Sequence, residues 1–141
     1  MIEFIPYEKR YKYPHMGKED TAIWERFIEQ NPRAFQNVAY DAVVGTGAKF
    51  DTTVNADTGG KSERLYKDKI DVVAETDEEF IIIEVKPNAG KGAIGQVEGY
   101  VELFIRDYAP EKTVRGMILT DILRTDMEFL VRKKDITIMI A

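Results

Sequence analysis

Apolar positions between Lys18 and Gln30 recur at helical spacing, with Ile23, Trp24, Phe27 and Ile28 on one stripe and Asn31-Pro32 ending it. This predicts an amphipathic helix. Residues 33 to 44 turn β-branched and aromatic, which places a strand around Asn37 to Val44. The following GTGAKFDTTVNADTGGKSERLY, rich in Gly, Thr, Asn and Asp, reads as a long loop or an irregular hairpin. Lys69 to Ala74 and Glu79 to Val85 read as strands joined by a tight turn at Thr76-Asp77-Glu78, and Pro87-Asn88-Ala89-Gly90 breaks the second. From Ala93 to Tyr108 the residues Ile94, Val97, Val101, Leu103, Phe104 and Ile105 return to helical spacing and stop before Pro110. A strand at Val114 to Thr120, a short helix at Asp126 to Lys134 and a strand at Ile136 to Ile140 complete the pattern. This order predicts a mixed α/β architecture in which helices flank a central mixed β-sheet.

Length and composition narrow the reading. A chain of 141 residues supports one core, so we expect a single domain over 1–141, with residues 1–16 as an N-terminal arm. The absence of cysteine excludes disulfide frameworks, thiolate metal sites and cysteine nucleophiles. No segment approaches the roughly 18 to 20 apolar residues of a membrane helix, and MIEFIPYEKRYKYPH lacks the order of a signal peptide. The expectation is a soluble, cytoplasmic protein, of a compact size that would also suit a phage or mobile element. A net charge of −5 argues against a polyanionic partner. Locally, Lys9, Arg10 and Lys12 stand beside Tyr7, Tyr11 and Tyr13, a composition suited to phosphate contact and base stacking. An exposed arm with ordinary surface charge accounts for the same residues.

DVVAETDEEFIIIEVK, residues 71 to 86, holds the candidate chemistry. Glu84 and Lys86 sit in and beside a run of Ile81, Ile82, Ile83 and Val85, although buried charge is costly unless it is compensated. Strand alternation projects Glu84 and Lys86 to one side and Val85 to the other. Across the short hairpin Asp71 can lie opposite them. Two carboxylates with the carbonyl of Val85 suit a hard divalent cation such as Mg²⁺, whose shell is completed by water and phosphate. Lys86 would then orient or deprotonate an attacking water, or neutralise charge on a phosphodiester. The competing reading is a plain Glu84–Lys86 salt bridge on the exposed face of an edge strand.

Asp71 followed by Glu84-Val85-Lys86 after an apolar strand resembles the PD-(D/E)xK nuclease superfamily, whose signature is Asp on one strand and (Asp/Glu)-x-Lys on the next. The resemblance covers roughly residues 17 to 120 and implies a restriction-endonuclease-like core. Gln96-Val97-Glu98-Gly99-Tyr100 is similar to the QxxxY motif of the RecB-type branch, with Gln96 and Tyr100 on one helix face. The resemblance implies that this face contacts DNA or supports the metal site. It also implies an acid from the first helix. At about 100° per residue Asp20 falls within the apolar stripe and Glu19 flanks it, so Asp20 is the first choice and Glu19 the second, although acids in a first turn also serve the helix dipole.

The departures are Ile70 where the family often has proline, and a single histidine, His15, which precedes the helix and reads as a surface residue. On a regular strand Asp68 would face away from Asp71. Lys69 and Lys91 read equally as phosphate contacts and as solvated lysines. There is no GxxxxGK[ST] phosphate loop and no basis for a Ser-His-Asp triad.

The expected function is a deoxyribonuclease dependent on Mg²⁺ or Mn²⁺, with Asp71 and Glu84 as ligands and Lys86 assisting the attacking water. The alternative is a non-catalytic nucleic-acid-binding or assembly module on the same fold. DNA is the expected partner; a homodimer would suit cutting of two strands, and recruitment to a larger complex would suit a minimal domain without an evident specificity module.

Overall fold

The run Ile81–Val85 is buried along its whole length, and the sheet is arranged around it. The structure, a computed structural model, describes residues 2–46 and 68–141. In chain order the elements are β1 (Ile5–Pro6), α1 (Lys18–Gln30), β2 (Asn37–Val44), β3 (Asp68–Glu75), β4 (Glu79–Val85), α2 (Lys91–Tyr108), β5 (Thr113–Thr120), α3 (Met127–Val131) and β6 (Ile136–Ile140). The loop expected after Val44 lies, beyond Gly45 and Thr46, outside the described residues.

Six strands form one sheet in the order β1-β2-β3-β4-β5-β6, antiparallel from β1 to β4 and parallel from β4 to β6. Antiparallel β3 and β4 need only the turn at Thr76-Asp77-Glu78. The parallel pairs need crossovers, which α2 and α3 supply. β4 is therefore a central strand covered on both faces, which explains why its sequence is continuously apolar rather than alternating. This overturns the edge-strand salt-bridge reading of Glu84 and Lys86.

Helix α1 covers one face, and α2 with α3 covers the other. On the α1 face, fully buried Trp24 stacks on Phe27 at a centroid distance of 5.6 Å, and its Nε1–H donates to the Tyr40 hydroxyl at 2.9 Å. Opposite, α2 lies close over β5 because position 116 is glycine: a Cβ there would stand 2.3 Å from Val97 Cγ1. Helix α2 ends at Ala109, whose left-handed backbone (φ 43°) returns its N–H to the Ile105 carbonyl before Pro110.

The N-terminal segment departs from expectation. Ile5 and Pro6 pair with Val38 and Asn37, and Tyr7 and Tyr13 are buried in the α1 core. Their hydroxyls are engaged: Tyr7 donates to the Asn31 carbonyl at 2.6 Å, and Tyr13 accepts the Arg10 N–H at 2.8 Å. Base stacking by these two rings is thus excluded by burial, and Tyr11 is the one tyrosine of the three left exposed. The short helix also differs, starting after Asp126, which is left-handed at φ 74°, and ending at Val131.

Strand alternation reverses at two facing positions. In β2, Val38 and Tyr40 pack toward α1, yet Ala42 and Val44 join Ala39 on the α2 face. In β3, Val72 and Ala74 pack toward α1, but Ile70 joins Val73 on the other side. The pairs Tyr40↔Val72 and Ala42↔Ile70 bracket Asp41 and Asp71, so the two aspartates stand opposite each other at the reversal. Asp41 provides the turn-over with a left-handed φ of 56°, a conformation that aspartate tolerates better than branched residues.

Candidate active site

The pairing of β3 with β4 runs from Glu75↔Phe80 to Val72↔Ile83 and would next match Asp71 with Glu84. There the side chain of Asp71 replaces the strand backbone: its Oδ2 accepts the Val85 N–H at 3.0 Å. This binds the end of β4 to the carboxylate and brings Asp71 into hydrogen-bonding contact with Glu84. Val85 itself packs on the α1 face, as alternation requires.

Glu84 is 7% exposed, and Thr120 is the other buried polar residue among those described. Burial, then the Asp71 charge and the hydrogen bond with Asp71, push the Glu84 carboxyl up to about 8, with Lys86 opposing and Asp20 adding to the effect. Asp71 is also raised, by burial and by the nearby Asp20 and Asp41 charges, against the hydrogen bonds from Val85 and Glu84. Two carboxyls in contact cannot both ionise cheaply, so the pair resists losing its last proton and titrates as a unit. Their oxygens are the donors a hard cation takes, and a cation would release that proton. Among the described residues no group of three or more His, Asp and Glu side chains converges on a single metal position. What the described residues do bring together here is one pair of carboxyls, Asp71 and Glu84.

Around this centre the other expected residues fall unequally. Asp20, half-buried on the inner side of α1, is close enough for its charge to act on both carboxyls, whereas Glu19 is exposed. Lys86 is exposed and acts on Glu84 through its charge, without an ion pair to it. Its N–H bonds the Leu119 carbonyl at 2.9 Å, which continues the sheet past β4 and fixes where the side chain emerges. On α2, Gln96 Nε2 donates to the Tyr100 hydroxyl at 2.9 Å. Tyr100 is raised by burial, against the Gln96 hydrogen bond, and by the charges of Glu84, Asp68 and Asp71, so α2 turns this pair toward the acids. The charge of Asp68 reaches Tyr100, but Asp68 is not among the groups that act on Asp71 or Glu84. The reversal at Asp71 brings Asp68 to the α2 side.

The basic residues divide as well. Lys9 is held by Glu29 at 2.6 Å, and Arg10 donates to the Pro6 carbonyl at 3.0 Å and pairs with Glu8 at 3.4 Å. Lys12 and Lys91 are exposed, the latter as the first residue of α2. Lys69 lies 3.7 Å from Asp41 Oδ2. His15, read from sequence as an isolated surface histidine, has Nε2 at 2.9 Å from that same oxygen. Asp41 was missed by sequence reasoning. Its one local signal is an aspartate interrupting the β-branched and aromatic run VAYDAVV.

No helix among the described residues is long and apolar enough to cross a membrane. No curated protein and no solved structure matches the chain at a significant level. A family model does match: the Endonuclease NucS C-terminal domain, over residues 64–140, which spans β3 to β6 and more than half of the chain. That domain has the restriction-endonuclease-like fold, and the mixed sheet flanked by helices agrees with it. With Asp71, Glu84, Lys86, Gln96 and Tyr100 all inside the matched segment, the chain belongs to the Endonuclease NucS C-terminal domain family.

Proposed function

We propose that this protein is a metal-dependent nuclease that hydrolyses DNA phosphodiester bonds. The carrying observation is the buried pairing of Asp71 with Glu84 at the end of the central strand, two carboxyls with no ion pair to a basic side chain among the described residues. A divalent ion, Mg²⁺ or Mn²⁺, would be held by these carboxylates, with Asp20 near enough to contribute charge or a water-bridged contact and the Val85 carbonyl as a further oxygen. When bound, it would supply charge stabilisation to the phosphoryl oxygens during in-line displacement. The chain's own residues do the rest. Asp71 holds the end of β4 through the Val85 N–H and so fixes the direction of Glu84. Lys86, emerging beside them, orients the attacking water or offsets charge on the phosphate as the water oxygen bonds to phosphorus and the opposite P–O bond breaks. The Gln96–Tyr100 contact, turned toward the same acids, supports assignment to the RecB-type branch with its QxxxY motif.

One observation favours a second reading. Because no three acids converge among the described residues, a nucleic-acid-binding module that has the fold without cutting remains the rival. Labelled single-stranded, duplex, nicked, flapped and four-way-junction DNAs incubated with Mn²⁺, Mg²⁺ or EDTA separate the two. Metal-dependent cutting that disappears in Glu84→Ala and Lys86→Ala supports the nuclease. DNA binding without cleavage, unchanged by Asp71→Asn, supports the module.

A further inference from the structure

Two non-glycine residues with left-handed backbone touch each other beside the acid pair: His15 and Asp41, both with φ 56°. Such conformations persist only where the surroundings hold them, and they gather at functional sites. Asp41 stands opposite Asp71 across the β2–β3 pair, and its charge reaches Asp71. Its Oδ2 lies 2.9 Å from His15 Nε2 and 3.7 Å from Lys69 Nζ, and those two nitrogens are 3.4 Å apart. Its Oδ1 is buried without a hydrogen-bond partner among the described residues. One carboxylate thus gathers two basic groups at the rim of a site whose other named side chains are mostly acidic.

We propose that Asp41 is a positioning residue that presents Lys69 and His15 to a backbone phosphate of the nucleic acid. The inference rests on the proposed nuclease reading and adds to it the means by which an acidic centre accepts a polyanion. An ammonium group has three N–H donors, of which one at most points at Asp41 Oδ2, so Lys69 keeps donors for phosphate oxygen. His15 is 61% exposed at its side chain, and its contact with Asp41 uses Nε2, leaving the Nδ1 edge of the ring for substrate, where it is a donor to phosphate oxygen when the ring carries both protons. Asp41 Oδ2 is the one acidic oxygen that both side chains share among the described ion pairs.

The sign of one substitution separates positioning from simple charge. Asp41→Gly removes the carboxylate and keeps the left-handed backbone accessible, so it removes the contact with little strain. If Asp41 were merely one more acid, removing it would tighten binding to a polyanion. As a positioning residue its loss weakens binding instead. The probes are fluorescein-labelled single-stranded and duplex oligonucleotides, with Ca²⁺ in place of Mg²⁺ to compensate the carboxylates, read by fluorescence anisotropy across a salt series. Lys69→Ala should weaken binding about tenfold and lower the salt slope by roughly 0.9 on a duplex, the signature of one lost phosphate contact. Asp41→Gly should move the same two readouts in the same direction and add little to Lys69→Ala with His15→Ala. Binding by Asp41→Gly that is unchanged or tighter, while the parent binds, overturns this inference alone. A parent that binds neither oligonucleotide overturns the inference together with the nuclease reading. Asp41→Asn, which keeps an oxygen acceptor and also tolerates positive φ, should fall between parent and Asp41→Gly and guards against misreading a folding defect.

Discussion

Glu84→Gln should stabilise the metal-free protein while removing its proposed function. The carboxyl of Glu84 is raised from 4.5 to about 8 in the folded chain by burial and by the neighbouring Asp71. For an acid raised on folding, the sign is unfavourable: the folded state resists losing a proton that the unfolded state loses readily. The cost is absent below about pH 4.5, grows as the pH rises and is complete above about pH 8. At about 1.4 kcal/mol per pH unit the interval amounts to on the order of 5 kcal/mol if Glu84 bore it alone. Glu84 titrates together with Asp71, so the expected gain from replacing it by its neutral isostere is smaller than that, on the order of 2 kcal/mol. For a chain of this size that corresponds to a rise in Tm of roughly 5–10 °C. Thermal unfolding of parent and variant in EDTA should show coincident Tm values at pH 4 and a gap that opens toward pH 8. Adding Mn²⁺ at pH 8 should raise the Tm of the parent and close the gap, through binding to the folded state alone. A variant less stable than the parent at pH 8, or a gap that does not change with pH, would refute the argument from shared burial.

Other substitutions probe separate links. Lys86→Ala, at an exposed position, should leave the unfolding free energy within about 0.5 kcal/mol of the parent and preserve Mn²⁺ binding by calorimetry while abolishing cleavage; loss of metal binding would move Lys86 out of its proposed role. Gly116→Ala would force a Cβ to 2.3 Å from Val97 Cγ1 and should cost about 1–3 kcal/mol in denaturant unfolding. Adding Val97→Ala should restore part of that loss, whereas a tolerated Gly116→Ala would show that α2 does not press on β5 as described. Tyr40→Phe leaves the indole N–H of Trp24 without its 2.9 Å acceptor and should cost about 1–3 kcal/mol with no effect on metal binding.

Local pattern carried far in this chain. The helix at Lys18–Gln30 and the strands at Glu79–Val85 and Ile136–Ile140 appear with the boundaries their periodicity and flanking breakers indicate. The hairpin length between Asp71 and Glu84 suffices to place them on neighbouring strands, and Gln96 and Tyr100 four apart suffices to put them on one helix face. These are short-range consequences of strand and helix repeat. What alternation cannot contain is its own interruption. A side chain two residues along a strand faces the same side only while the backbone stays extended, and at Asp41 it does not. That single left-handed residue, with the matching reversal at Asp71, decides that Ile70 joins Val73 on the α2 face and that Asp41 meets His15 and Lys69. Burial is likewise a property of the packed whole. Tyr7 and Tyr13 looked like rings on a basic arm, but pairing of Ile5 and Pro6 with β2 carries them under α1. The residue types and spacing thus specified the acid pair and its lysine as neighbours, whereas the central position of β4, the raised carboxyl of Glu84 and the meeting of His15 and Lys69 at Asp41 arise from contacts between segments distant in sequence, which no local repeat encodes.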